Sequence, residues 1–387
     1  MNSNTATERL RVAIVGAGPS GAALGILLAR AGGDVTLFDD GRHPPLLVGE
    51  SMVPAVVPIL RRLGFEEETA GFSRVKPGVS FIWSPTHRVS VTFDRFVPAV
   101  FPYAYNIPRP QFDQALLAKA LAAGVRHVPV KARFETGNGS VAELTLAPET
   151  LAAAPGMYEH PPHLVVDATG RARHGARALS IGAKLGPRKD VAHFAHFENF
   201  NWDDVPGQVL IARGQAGGWN WCIPLQDRLS IGIVLDQADA AKLGRTPEER
   251  LECAIATDPW LFSIGGGAKR VTDVATYANY QLISERGYGL GWVMLGDAFG
   301  FIDPMLSPGV FLALRSAELL ADGLAPWLER EATPTTAEMQ SVLASYSAAQ
   351  TEMLSAWFEL VAYLYDGRLA ALMEAGKSRL APNAGIF

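Results

Sequence analysis

The stretch RVAIVGAGPSGAALGILLARAGGDVTLFDD, residues 11–40, decides the fold. A short apolar run leads into a glycine-rich turn, then an Ala- and Leu-rich stretch, then a second apolar run that ends in acidic residues. This order predicts a β-α-β unit, because two parallel strands need a crossover helix between them. The stretch is therefore expected to belong to a Rossmann-type α/β domain with a parallel sheet.

The glycine-rich turn inside this unit predicts a dinucleotide-binding site. The turn contains Gly16, Gly18, Ser20 and Gly21. Gly16 permits the tight turn, and Gly18 lets the backbone approach a pyrophosphate at the helix N-terminus. Gly21 allows the helix to pack closely on the strand. Asp39, at the end of the second strand, can accept hydrogen bonds from both ribose hydroxyls. This motif alone does not separate NAD from FAD.

Composition excludes several classes of protein. The chain has 387 residues, 48% of them hydrophobic and 19% charged, which suits two interlocked lobes. A formal net charge of -5 without a basic cluster excludes a nucleic-acid partner. The first ten residues do not resemble a secretory signal, and no apolar run reaches the length of a membrane span. We therefore expect a cytoplasmic protein with no membrane partner.

The cysteines and histidines predict no metal site. Cys222 and Cys253 are the only cysteines, and their spacing fits neither a metal site nor a redox motif. His193 and His196 are three residues apart on a predicted strand, so their side chains should face opposite sides of the sheet.

Three further segments resemble the flavin-contacting segments of the single-component aromatic monooxygenase fold, in the same order. They are Gly49-Glu50-Ser51, Arg109-x-x-Phe112-Asp113 and Gly296-Asp297-Ala298. Asp297 can accept from ribose or ribityl hydroxyls, and Arg109 can meet phosphate or ribityl oxygens. Asp167 begins a strand-then-turn segment that we expect near the adenine end. The resemblance implies FAD as the cofactor, with Glu50, Ser51 and Gly296 among its contacts.

Three motifs resemble those of flavin-dependent halogenases, in the phenol- and pyrrole-type branch. In chain order, the first motif, K-x-G-x-x-F, is matched by Lys76, Gly78 and Phe81. The second motif, W-x-W-x-I-P, is matched by Trp219, Trp221, Ile223 and Pro224. The third motif, F-x-x-P-x-x-S-x-G, is matched by Phe301, Pro304, Ser307 and Gly309. The resemblance covers roughly residues 10–325. It implies that reduced FAD, dioxygen and a halide yield hypohalous acid, which Lys76 directs to an electron-rich aromatic carbon.

The third motif is expected to open a helix. Ser307 is a good N-cap and Pro308 suits the first helical position, so Ser307 would begin the helix. The amides of Gly309 and Val310 would then lie at a helix N-terminus, which favours the reduced flavin or a halide. Because Pro308 has no amide hydrogen, one halide donor is missing at this position.

The two tryptophans should project from one face of a strand, with Asn220 opposite them. We expect Trp219, Trp221, Ile223 and Pro224 to form a wall between the flavin and the substrate, and core packing is the competing interpretation. Both indoles should then line the passage between the flavin and Lys76. Leu306 stands where tryptophan halogenases carry a Glu, and the C-terminal part is short, which predicts a more open pocket.

The expected architecture is an α/β FAD-binding domain that a mixed or antiparallel substrate domain interrupts, followed by a short helical region. The predicted boundaries are FAD-binding parts at 1–75, 106–180 and 286–325, substrate-domain parts at 76–105 and 181–285, and a helical region at 326–387.

The sequence thus predicts an FAD-dependent halogenase that receives reduced flavin from a separate reductase and acts on a free or carrier-bound aromatic. The alternatives are a monooxygenase or a geranylgeranyl-reductase-like oxidoreductase of the same fold, and a non-catalytic flavin-binding protein. Halide dependence separates the first reading from the second.

Overall fold

A computed structural model describes residues 9–42, 44–84, 87–96, 98, 100–137, 143–157, 159–278 and 281–368. Its strands are β1 (Arg11–Val15), β2 (Asp34–Phe38), β3 (Arg74–Lys76), β4 (Gly78–Ser84), β5 (His87–Thr92), β6 (Ala104–Asn106), β7 (Arg126–Val128), β8 (Phe134–Thr136), β9 (Leu144–Leu146), β10 (Leu164–Asp167), β11 (Ala183–Leu185), β12 (Asp190–Glu198), β13 (Val209–Arg213), β14 (Trp219–Pro224), β15 (Leu229–Asp236), β16 (Lys269–Arg270), β17 (Ala275–Ala278), β18 (Leu282–Ser284), β19 (Tyr288–Gly289), β20 (Trp292–Met294) and β21 (Gly300–Phe301).

The helices lie mainly around the first sheet and at the C-terminal side of the chain. They are α1 (Pro19–Arg30), α2 (Val56–Arg62), α3 (Glu66–Phe72), α4 (Arg109–Ala122), α5 (Pro148–Ala152), α6 (His174–Ala178), α7 (Gln237–Leu243), α8 (Pro247–Thr257), α9 (Pro259–Gly265), α10 (Gly309–Leu328) and α11 (Thr336–Tyr365). Short 3-10 turns occur at Phe93–Phe96, Gly170–Ala172 and Gly296–Ala298.

The first sheet has the strand order β19-β20-β10-β1-β2-β7, and all its pairs are parallel except β19 with β20. Successive residues of β1 belong to different cores, with Val12 and Ile14 on one face and Ala13 and Val15 on the other. A parallel sheet is stable only when both faces are covered, which explains the near-continuous apolar strands. The Rossmann-type sheet predicted from residues 11–40 is confirmed.

The second sheet has the order β16-β12-β15-β14-β13-β4-β5, and β17 adds to β12. Most of its pairs are antiparallel, and β13 runs parallel to β4. One face packs on helices α7–α9, while the other joins the core that continues into the first sheet. The strands therefore come from both segments in which the sequence predicts a substrate domain.

The segment around Glu50 is extended and precedes the second helix. The helix α2 begins only at Val56, because Ser51 forms an isolated bridge with Asn106 and the Met52 amide donates to the Tyr105 carbonyl. These bonds hold residues 50–52 extended between the two sheets.

The C-terminal region is helical, as predicted, over the part that the structure describes. Helix α10 packs on α1 and α11, and α11 has a capping box in which Thr335 and Glu338 bond each other's backbone amides. Residues 369–387 of the predicted helical region lie outside the described residues.

Candidate active site

A cavity of about 610 Å³ lies between the glycine-rich turn of the first sheet and the tryptophan-bearing face of the second. Most of the predicted site residues line it: Gly16, Gly18, Ser20, Asp39, Glu50, Ser51, Arg109, Trp219, Trp221, Ile223, Asp297, Pro304, Ser307, Pro308, Gly309 and Val310. Segments that are far apart in the sequence therefore converge on one space, which we call the main cavity.

The glycine turn has the geometry that a bound pyrophosphate requires. Gly16 has φ +108°, and a Cβ there would lie 2.4 Å from the Ala168 carbonyl oxygen. A Cβ on Gly21 would lie 2.0 Å from the Gly16 oxygen, so α1 packs directly on the turn. Gly18 faces the main cavity and has open space where its Cβ would be. The first amides of α1 thus point to a surface that a phosphate can approach.

Asp39 is held at the end of β2 beside the glycine turn. Its Oδ2 accepts from the Ala17 amide at 2.9 Å and its Oδ1 from the Gly41 amide at 2.8 Å. Each carboxylate oxygen has further acceptor capacity, so the side chain can also receive ribose hydroxyls.

Arg109 and Asp297 are two of the charged residues that line the main cavity. Arg109 donates to Asp113 at 3.1 Å through both Nε and Nη2, and its Nη1 lies 2.5 Å from the Val48 carbonyl oxygen. Burial raises the pKa of Asp297 to about 6, while the positive charges of Arg109 and Arg171 oppose that rise. The pair offers a donor and an acceptor for ribityl and phosphate oxygens.

Five predicted site residues do not line the main cavity: Gly21, Lys76, Asp167, Pro224 and Gly296. Asp167 is fully buried and accepts from the Thr169 amide and hydroxyl and from the Gly175 amide, at 2.6–3.0 Å. Its carboxylate points into the protein because the turn after β10 needs these acceptors, and only the residues that follow it line the main cavity. The carbonyl of Pro224 accepts from Asn106 instead.

Ser307 does not act as the predicted helix cap. Leu306 and Ser307 have φ +65° and +61°, and α10 begins at Gly309 with Pro308 in the cap position and no side-chain cap hydrogen bond. The two left-handed residues turn the chain so sharply that the serine hydroxyl does not reach the first helical amides. Gly309 and Val310 nonetheless form the N-terminus of α10 at the main cavity, as the sequence predicts.

The tryptophan wall consists of Trp219, Trp221 and Ile223, which lie on the cavity side of β14, while Cys222 belongs to the core on the opposite face. The two indole centroids are 5.6 Å apart. Trp221 pairs with Gly232 on β15, and a Cβ on Gly232 would lie 2.2 Å from the indole ring. The indole therefore occupies the volume that a side chain at position 232 would fill.

Lys76 lies behind the cavity wall at the end of β3. Its side chain is buried, with the residue 4% exposed, and Nζ donates to Ser51 Oγ at 2.8 Å and to the Met52 carbonyl at 2.9 Å. Burial lowers the pKa of Lys76 to about 7. Ser51 lines the main cavity, so its hydroxyl links the cavity to the lysine.

Two features of the site were missed from the sequence. His196 Nε2 lies 2.6 Å from Glu50 Oε1, and both residues are buried. Trp219 Nε1 donates to the hydroxyl of Tyr365, at the end of α11, at 2.8 Å. Each pair joins residues 146 positions apart, and local patterns carry no signal for such pairs.

These residues fit FAD. The main cavity joins an open glycine turn with free helix amides, an acceptor at the end of β2, an arginine and a second helix N-terminus. These groups match in turn a pyrophosphate, a ribose, a polar chain and an electron-rich ring edge.

The tryptophan halogenase family model matches residues 88–362, and an FAD-binding domain model matches residues 9–147. The chain belongs to the tryptophan halogenase family. This family member is therefore an FAD-dependent halogenase, with FAD and a halide as its cofactors. The predicted family, α/β fold, enzyme class and cofactors are confirmed.

Relatives agree with this assignment. The chain is 29% identical to a tryptophan 2-halogenase of Chondromyces crocatus over 92% of this family member and 68% of the relative. It is 28% identical to a 1H-pyrrole-2-carbonyl-[peptidyl-carrier protein] brominase of Pseudoalteromonas luteoviolacea (strain 2ta16), over 81% and 76% of the two chains. The structure of the flavin-dependent brominase Bmp2 superimposes with a TM-score of 0.75 at 21% identity, covering 92% and 86%.

Two predictions from the sequence concern metal ions and membrane spans. Among the described residues, no group of three or more His, Cys, Asp or Glu side chains could hold a metal ion. No helix in the same part of this family member is long and apolar enough to cross a membrane.

Proposed function

We propose that this halogenase installs chloride or bromide on an electron-rich aromatic such as a phenol or a pyrrole, with Lys76 directing the oxidised halogen. The observation that carries the proposal is the burial of Lys76 next to the main cavity, where its ammonium group bonds Ser51 of the cavity wall. No carboxylate of the described residues pairs with Lys76, so its burial costs stability, and such costly groups are concentrated at functional sites.

Reduced FAD supplies the electrons that activate dioxygen. The net reaction consumes reduced flavin, dioxygen, halide and a proton, replaces an aromatic C–H bond by a C–halogen bond, and yields oxidised flavin and two water molecules. The amides of Gly309 and Val310 at the start of α10 favour an anion, which supports a halide or the negative ring edge there. The missing amide of Pro308 restricts that site to the following residues.

Lys76 suits the directing role through its pKa of about 7. Near neutral pH both the ammonium and the amine are then populated, so the side chain can donate a hydrogen bond to hypohalous acid or form a haloamine. The amine retains its position because Ser51 and the Met52 carbonyl fix the nitrogen.

The tryptophan wall supports separation of the flavin from the aromatic substrate. Trp219 and Trp221 line the main cavity on the side of the second sheet, with their indole centroids 5.6 Å apart. The expected passage from the flavin to Lys76 would start at Ser51, which lines the main cavity and accepts a hydrogen bond from Lys76.

The substrate and partners are the finer part of the proposal. A pyrrole held on a carrier protein is supported by the relative that is a 1H-pyrrole-2-carbonyl-[peptidyl-carrier protein] brominase. Leu306 in place of a Glu beside Ser307 fits the phenol- and pyrrole-type branch. We also infer that a separate reductase supplies the reduced flavin, and that the protein works in the cytoplasm.

A direct experiment supplies the purified protein with FAD, a flavin reductase, NADH and either chloride or bromide. A cyclic dione that traps hypohalous acid reports its formation, and a panel of phenols, pyrroles and indoles reports directed halogenation. Hydroxylation of the panel in place of halogenation would establish a monooxygenase of the same fold. Tight FAD binding without any turnover would establish a flavin-binding protein.

A further inference from the structure

Tyr365, the last residue of helix α11, forms a hydrogen bond with the tryptophan wall. Trp219 is 5% exposed, and its indole N–H donates to the Tyr365 hydroxyl at 2.8 Å. A buried indole N–H needs an acceptor, because leaving it unpaired forfeits its hydration without compensation. Tyr365 is therefore the residue that satisfies the donor of the wall.

The same hydroxyl also reaches the loop that carries the third halogenase motif. It lies 3.3 Å from each carboxylate oxygen of Asp303, directly before Pro304 of the cavity lining. Asp303 is itself fixed by the Met305 amide at 2.9 Å and by Gln281 Nε2 at 3.1 Å. One hydroxyl thus bridges the wall and the motif loop.

Arg188 holds the ring of Tyr365 from another direction. Its guanidinium carbon is 3.7 Å from the ring centroid, and its Nε lies 2.5 Å from Asp190 Oδ2. The tyrosine ring keeps these contacts if only its hydroxyl is removed, since a cation over a ring face needs the ring alone.

We infer that Tyr365 is a positioning residue that fixes Trp219 as part of the tryptophan wall and ties it to the motif loop. The inference rests on the proposed function. Without the hydroxyl, Trp219 must rotate or admit water to satisfy its N–H, and either change opens the wall. Water in a closed site destroys reactive oxidants before they reach the substrate. The C-terminal helix then completes the active site from outside both sheets.

The test compares Tyr365→Phe with Tyr363→Phe, a matched control that removes a hydroxyl from a partly exposed tyrosine two residues earlier on the same helix. Both variants are labelled with nitrogen-15 tryptophan, and the Trp219 indole signal is assigned by its loss in Trp219→Phe. We expect Tyr365→Phe to exchange its Trp219 indole proton with deuterium at least roughly fivefold faster, as the loss of one net hydrogen bond implies.

The functional readout is the hydrogen peroxide released per reduced flavin oxidised, with bromide present. We expect it to rise severalfold in Tyr365→Phe and to match the wild type in Tyr363→Phe. In the double variant with Trp219→Phe, the further rise caused by Tyr365→Phe should be smaller than in the wild-type background, because both changes remove the hydrogen bond between Trp219 and Tyr365.

Wild-type exchange of the Trp219 indole proton as fast as that of free tryptophan in solution, or equal exchange and peroxide release in Tyr365→Phe and the wild type, would overturn the inference. The wild-type measurement does not depend on Tyr365→Phe, so poor folding of that variant cannot hide the answer. A wild-type enzyme that forms no hypohalous acid would sink the proposed function instead, and the proton exchange would still test the position of Trp219.

Discussion

The glycine turn and the surroundings of Lys76 solve opposite physical problems at one active site. The turn presents backbone amides to an open cavity, and Gly18 leaves open the space that a side chain would fill there. Lys76 is withdrawn from solvent, and its nitrogen is bonded to the protein on two sides. The first region gains function from exposure, whereas the second gains it from burial.

Because of this difference, substitutions in the two regions should have different effects. A substitution in the turn should affect binding of the cofactor and leave the buried lysine intact. A substitution at Lys76 should affect delivery of the halogen and leave the cofactor bound. Ser51 marks the border between the two regions, because it lines the main cavity and accepts a hydrogen bond from Lys76.

The largest effect is expected for Lys76→Met, which keeps the length and apolar stem of the side chain. Directed aromatic halogenation should fall by roughly 10²–10⁴-fold, the range of a lost proton-transfer group, as measured by chromatography of the product. The FAD dissociation constant should change less than about twofold, since the nitrogen does not line the main cavity. Halogenation at the wild-type rate would remove Lys76 from the mechanism.

His196→Gln should follow in size, because it strips Glu50 of its buried partner at the border of the two regions. Weakening this buried hydrogen bond should cost about 1–3 kcal/mol, measured as the free energy of unfolding in urea, and FAD should bind more weakly. His193→Gln is the matched control, since His193 bonds Thr276 on the other face of β12. Equal losses of FAD affinity in both variants would contradict a special role for His196.

The burial of Lys76 also predicts a pH dependence of stability. The unfolded chain holds the lysine proton up to its ordinary pKa of 10.5, whereas the folded protein releases it at about 7. Between these values the unfolded state binds more protons, so stability should rise with pH by up to about 1.4 kcal/mol per unit relative to Lys76→Met. Urea unfolding of both proteins at pH 7, 8 and 9 measures the difference. A difference that stays constant over this range would show that Lys76 keeps its proton when folded.

The smallest expected effect separates two glycines of the turn. Gly18→Ala should fold normally, because residue 18 has φ −65° and open space for a Cβ, yet FAD affinity should drop about tenfold as the methyl group meets the pyrophosphate. Gly16→Ala should instead lose stability, since its φ is positive and a Cβ would meet the Ala168 carbonyl. Calorimetry of folding and titration with FAD distinguish the two. A Gly18→Ala protein with unchanged FAD affinity would place the pyrophosphate elsewhere.

The sequence predicts best what neighbouring residues determine. The β-α-β unit and the two indoles on one face follow from periodicity within about 30 residues, and the structure has both. The predicted cap at Ser307 was wrong, because two consecutive left-handed residues precede α10 and serine is a poor signal for them.

The remaining parts of the site depend on contacts between distant segments. The inward turn of Asp167 is set by the Gly175 amide, and the pairing of Glu50 with His196 is set by how two sheets pack. Neither has a local pattern, because a carboxylate on a strand end can face a ligand or its own turn with the same neighbours in sequence.

The register of β14 with β15 has a consequence for redesign of the enzyme. The Trp221 indole occupies space left by Gly232, so two residues on different strands together determine the thickness of the tryptophan wall. A library that varies Trp221 alone will create voids above the glycine, and one that varies Gly232 alone will push the indole into the cavity. Variants that pair a smaller residue at position 221 with alanine at position 232 change the aperture while conserving the packed volume.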